Sequence, residues 1–163
     1  MYKKDRLKAA LLYGFGTLAI GSCVALIVFF IFTLRLRTEY REVCLEINDA
    51  ILACAQEDNT IRRGGESAPL STKATDYYDK FLLDADTAVF NRKVRGLTDR
   101  SIRLCFPDHT LALTGYGDGS EIAVRWETPE GVKCYTVRNS VTTFMQLDAY
   151  MENILRQAGT QTP

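Results

Sequence analysis

The stretch IRLCFPDHTLALTGYGDGSEIAVRWETPEGVKCYTVR, residues 102–138, decides the fold class. Ile102, Leu104 and Phe106 alternate with Arg103 and Cys105, and Ile122, Val124 and Trp126 alternate with Glu121, Ala123 and Arg125. Successive side chains of a strand point to opposite faces, so this period of two marks strands with one buried face. Residues 110–114 and 132–138 supply two more strands. Turns separate them at Pro107-Asp108, at the glycine-rich 115–119 and at Thr128-Pro129-Glu130-Gly131. Proline presets φ near about −65° and glycine takes positive φ without a steric penalty. Turns this short join antiparallel neighbours, so the stretch predicts an antiparallel β-meander of about four strands.

On the C-terminal side, Ser140 is expected to cap a helix. Phe144, Leu147, Met151, Ile154 and Leu155 fall on one side of it, which predicts a helix packed on the meander. Residues 158–163 read as a flexible tail. On the N-terminal side, Ser71 or Thr75 is a cap for a second helix with Tyr78, Phe81, Leu82, Ala85 and Val89 on its apolar side, although residues 87–94 read equally well as the start of a strand. Asn59, Gly64, Gly65, Ser67, Pro69 and Ser71 make 57–74 a loop, with Arg62-Arg63-Gly64-Gly65-Glu66 at a solvated tip. The small α+β domain is therefore placed at 75–157.

Residues 9–34 read AALLYGFGTLAIGSCVALIVFFIFTL, 26 residues without a charge, Asn, Gln, His or Pro. Roughly 20 apolar residues carry a helix across the hydrocarbon core, so a transmembrane helix is expected here. The apolar core of a cleaved signal peptide is shorter, about 7–15 residues. Ile20-Gly21-Ser22-Cys23 imitates a lipidation box, but 24–34 stays apolar where a mature lipoprotein turns polar. Lys3, Lys4, Arg6 and Lys8 make 1–8 a short basic tail, and Arg35, Arg37 and Arg41 follow the span. The short basic start fits a signal anchor, with the tail cytoplasmic and the domain extracytoplasmic. Ala10, Gly14, Thr17, Gly21 and Ala25 recur at spacings of four, three, four and four, a small-residue face of the kind that lets helices pair closely in lipid.

Helical periodicity continues past the span. Leu36, Tyr40, Val43, Ile47, Ala50 and Cys54 alternate at spacings of four and three, the seam of a stalk helix over 35–56. Under three heptads support a free coiled coil weakly, so the seam is expected to pack on the protein's own domain. The fold class is α+β: an N-terminal transmembrane helix continuing into a stalk helix, then a small domain with its meander and C-terminal helix.

Residues with chemistry are few. From Arg35 onward there are 16 basic and 19 acidic residues, a poor match to a phosphate backbone, so no nucleic-acid partner is expected. The one histidine, His109, sits in a turn. Gly115-x-Gly117-x-Gly119 lies between two strands, whereas a dinucleotide fingerprint lies between a strand and a helix. No Ser-His-Asp set, Walker loop or CxxC is present. Arg125, Trp126 and Tyr135 are the residues that would line a polar-aromatic groove. Cys44 and Cys54 stand ten residues apart on one helix, about 15 Å in rise, and cannot bridge each other. A Cys105–Cys134 bridge or a helix-to-sheet bridge stays open beside the reading in which the thiols are free.

These readings lead to a non-enzymatic membrane-anchored interaction subunit of a cell-envelope assembly. No cofactor or metal is expected. Its partners are lipid and either a protein or a second copy of the chain, met through the membrane and stalk helix. The layout of a basic start, a long helix with an apolar first half and a meander sheet also resembles type IV pilins and pseudopilins. That resemblance implies a filament subunit, but its processing motif is missing: Gly14-Phe15 only imitates the junction, and Ala19 stands where the family has Glu. An envelope enzyme or small-ligand sensor is the third reading.

Overall fold

A computed structural model describes residues 2–53, 59–92 and 96–160. The chain divides into two compact units, Met1–Arg35 and Leu36–Pro163. Helix α1 (Tyr2–Ala53) begins in the first and ends in the second.

In the first unit, every residue from 13 to 34 is exposed, including Phe15, Phe29, Phe30 and Phe32. The hydroxyls of Thr17 and Thr33 donate back to the carbonyls of Tyr13 and Phe29, so these polar groups are satisfied within the helix. Among the described residues, this is the one helix long and apolar enough to cross a membrane.

The second unit is α+β. It holds β1 (Thr60–Arg63), β2 (Glu66–Pro69), α2 (Thr72–Leu83), β3 (Thr87–Asn91), β4 (Ile102–Cys105), β5 (Thr110–Tyr116), β6 (Glu121–Thr128), β7 (Gly131–Asn139) and α3 (Phe144–Thr160). The strands form one antiparallel sheet in the order β2-β1-β4-β5-β6-β7-β3. The sheet thus has seven strands, not about four. The four-strand meander is its centre; β1 and β2 come from segments with little apolar content, and β3 from the stretch 87–94 that reads equally as helix end or strand. The expected loop 57–74 contains the β1–β2 hairpin, whose two-residue connection is Gly64-Gly65, with Gly64 at φ +58°. β3 forms the opposite edge.

The register fixes two unlike faces. Ile61, Ile102, Leu104, Leu111, Leu113, Ile122, Val124, Trp126, Tyr135 and Val137 share one of them and are buried. The core is completed by Leu36, Tyr40, Val43, Cys44, Ile47 and Ile51 of α1, by Tyr78, Phe81 and Leu82 of α2, and by Phe144, Leu147 and Met151 of α3. On the other face a row of small residues, Thr114, Ala123 and Thr136, crosses β5, β6 and β7. β5, β6 and β7 separate the β3 edge from β4, and Gly96 and Ser101, which precede β4, lie on this side. Tyr116 Oη donates to the Gly96 carbonyl at 3.0 Å, and the hydroxyls of Ser101 and Thr114 are 2.7 Å apart. The small Ser101 and Thr114 side chains let the chain just before β4 lie close to the sheet.

Two local expectations are revised. Ser140 does not cap α3. The helix starts at Phe144, and the Gln146 side chain reaches back to accept from the Thr143 N–H at 2.8 Å, half of a capping box. Asn139 uses the intervening segment instead, its Oδ1 accepting from Val141 and Thr142 N–H at 2.8 Å each. Gly115 belongs to β5 and not to the turn. A Cβ there would stand 2.3 Å from the Phe144 ring, so the glycine makes the seat into which α3 docks. Ser71 caps α2 as expected, its Oγ accepting from Ala74 N–H.

Candidate functional site

The stripe Leu36, Tyr40, Val43 and Ile47 is buried in the core of the second unit, with Ala50 partly covered; Cys54 lies outside the described residues. Turns of α1 beside that stripe form one wall of a groove of about 300 Å³. The other wall is the end of α2 and the entry to β3. Arg37, Arg41 and Leu45 stand against Leu82, Leu83, Asp84, Ala85 and Thr87, with Tyr40 and Cys44 at the base.

Each wall has a local cause. Residues 37, 41 and 45 are spaced by four and so rise along one face of the helix. Asp84 ends α2, its N–H donating to the Phe81 carbonyl, and the chain turns into β3 with Thr87 N–H donating to the Asp84 carbonyl. The Asp84 carboxylate accepts from Asp86 N–H at 3.0 Å and from Asn139 Nδ2 at 2.7 Å, which lowers its pKa below the ordinary carboxylate value. Arg37 Nη2 donates to the Ala85 carbonyl at 3.1 Å and holds the two walls together.

The base of the groove is chemically quiet. Tyr40 Oη and Cys44 Sγ both donate to the Leu82 carbonyl, at 3.4 and 3.6 Å. Burial pushes the Cys44 thiol up to about 12. It is a protonated thiol at neutral pH and no nucleophile. Burial likewise raises the Tyr40 phenol. The chemistry available here is recognition by two guanidinium groups over an apolar floor.

The other residues singled out in the sequence do not converge. His109 stacks on Trp126 with ring centroids 5.2 Å apart and the planes 18° from parallel. Glu46 and Lys133 lie beside them and neutralise each other, with Lys133 Nζ 2.7 Å from both carboxylate oxygens. Arg125 does not join Trp126 and Tyr135 in one groove, because it points to the opposite face of the sheet. Cys105 and Cys134 are free thiols on β4 and β7, with β5 and β6 between them, about 14 Å apart across the sheet. A bridge needs Cα atoms within about 7 Å, so these two do not pair. Gly14, Thr17, Gly21 and Ala25 are all exposed, and a Cβ at Gly14 or Gly21 would meet nothing within 4 Å; the Ala10 side chain lies outside the described set. Among the described residues no group of three or more His, Cys, Asp or Glu side chains is placed to hold a metal.

Sequence reading missed the groove because its walls come from segments about forty residues apart, and because Arg37 and Arg41 read simply as flanking charge. No family model, curated protein or solved structure matches the chain.

Proposed function

We propose that this is a single-pass membrane protein whose extracytoplasmic α+β domain serves as an accessory or structural interaction subunit of a cell-envelope assembly, without catalysis of its own. One observation carries the reading. Residues 13–34 expose a long series of large apolar side chains, while the second unit has a complete core without them. Soluble domains rarely expose contiguous apolar surface of this extent, and hydrocarbon is the solvent that suits it. The basic tail before the run favours a cytoplasmic N-terminus.

Carbonate extraction tests the anchor: the full chain should stay with the membrane pellet, and release into the supernatant would reject the reading. Alkaline phosphatase fused to the C-terminus tests orientation and should be active. Gly14, Thr17, Gly21 and Ala25 supply a contact face for a second helix, either another copy or a partner subunit. Gly21→Ile should then weaken association in a membrane two-hybrid assay, and an unchanged signal would remove that element.

A further inference from the structure

We propose that the groove of Arg37 and Arg41 binds the phosphate of a phospholipid headgroup from the leaflet adjoining the domain. The inference rests on the membrane reading above and adds a ligand class to it.

Charge complementarity carries the argument. Arg37 and Arg41 are one helical turn apart over the apolar Leu82, Leu83 and Ala85. Arg37 commits one donor to the Ala85 carbonyl, and a guanidinium has five N–H groups, so donors remain. Arg41 is exposed and forms no ion pair or hydrogen bond among the described residues. The single carboxylate on the rim, Asp84, is already held by Asp86 N–H and Asn139 Nδ2. The site is thus an arginine pair with unspent donors, the arrangement suited to bidentate contact with a phosphate. Exposed Leu45 and Leu83 flank it, offering apolar surface to a glycerol or acyl segment, which a free anion would not use.

Chain position selects the source. Arg37 and Arg41 come three and seven residues after Leu34, the last of the apolar run. At about 1.5 Å of rise per residue these are roughly 4 and 10 Å of helix. The headgroup layer is on the order of 5–8 Å deep on each side of the hydrocarbon. Helical side chains lean toward the N-terminus, so along α1 an arginine at 41 leans toward the apolar run and not away from it.

The test uses the full chain in mild detergent, titrated separately with dihexanoyl phosphatidylglycerol, dihexanoyl phosphatidylcholine and inorganic phosphate. Phosphatidylglycerol should bind tightest, because its net charge is not offset by a choline. Arg41→Gln should weaken that binding at least tenfold. Arg41→Lys should restore part of it, keeping charge but not the fork. Arg103→Gln, an exposed residue on the far face of the sheet, should leave it unchanged. Arg41 has no partner to lose, so its substitutions leave the fold intact, checked by circular dichroism. Unchanged phosphatidylglycerol affinity in Arg41→Gln overturns the proposal, as does inorganic phosphate binding as tightly as the lipid. Carbonate extraction separates the two readings: a chain that stays in the pellet while its lipid affinity ignores Arg41 rejects the headgroup site alone, and a chain released to the supernatant rejects the anchor on which it rests.

Discussion

Two stretches of α1 are both rich in apolar residues and meet opposite fates. From 13 to 34 the apolar side chains surround the helix and all are exposed; from 36 to 51 Leu36, Tyr40, Val43, Ile47 and Ile51 form a buried stripe, and Leu45, which stands off the stripe, is exposed. The difference is arrangement and not amount. A stripe is matched by one apolar sheet face, whereas an all-round apolar surface has no single face to hide against and calls for an apolar solvent. One helix therefore carries two hydrophobic codes, and substitutions should separate them.

The largest separation comes from placing a carboxylate in each. Ile47→Asp buries an unpaired charge in the core and should cost about 4 kcal/mol or more, enough to abolish cooperative unfolding of the domain. Ile27→Asp should leave the domain's melting temperature unchanged and instead impair membrane insertion, by on the order of 3 kcal/mol. Thermal unfolding and carbonate extraction of both variants are the measurements. If Ile27→Asp also melted the domain, the two stretches would be one packing unit and the comparison would fall.

A second effect belongs to the domain alone. Gly115→Ala puts a methyl group 2.3 Å from the Phe144 ring. Either α3 lifts or the ring leaves its seat, a loss of about 1–3 kcal/mol by the usual cost of overpacking. Denaturant unfolding should show it, with membrane retention unaltered. Adding Phe144→Ala should recover part of the loss relative to Phe144→Ala in the presence of glycine; purely additive losses would mean the contact is not the cause.

How much of this was legible follows from where each signal resides. The meander was, because alternation and turn residues are local: Ile122, Val124 and Trp126 announce their face within five residues. The β1–β2 hairpin was not read, since Thr60–Arg63 and Glu66–Pro69 each offer one inward apolar residue, Ile61 and Ala68. The two-residue Gly-Gly connection is the local clue to a hairpin, but without flanking alternation it reads as a loop tip. Arg63 in that supposed tip is half-buried and paired with Asp148 of α3 at 2.8 Å, a partner 85 residues away that no local pattern shows. The groove was hidden for the same reason, its two arginines visible and its opposite wall not.

A smaller effect tests the hinge of that opposite wall. Asn139 Nδ2 donates to the Asp84 carboxylate at 2.7 Å and to Thr87 Oγ1 at 3.0 Å, and its Oδ1 takes two backbone N–H groups. Asn139→Ala leaves these groups unpaired and should destabilise the domain by about 2 kcal/mol. Asn139→Asp should lose about as much, since it keeps the acceptor but sets a second carboxylate against Asp84. A neutral outcome for both in denaturant unfolding would show that water replaces the network.

The smallest expected effect is a pH dependence confined to the domain. The Asp86 N–H, and after it the Asn139 amide, hold the Asp84 carboxylate below its ordinary pKa. A carboxylate depressed in the folded state stabilises it fully above the unfolded value, about 3.9, and the contribution disappears as pH falls through the lower folded value. The melting temperature of the wild-type domain should therefore lose its advantage over Asp84→Asn below about pH 4, with the difference constant from pH 5 to 7. Residues 9–34 contain no carboxylate, so membrane retention should not follow the same curve. Parallel melting curves for wild type and Asp84→Asn down to pH 2.5 would mean that the two hydrogen bonds stabilise the neutral acid equally, and the depressed pKa would have to be abandoned.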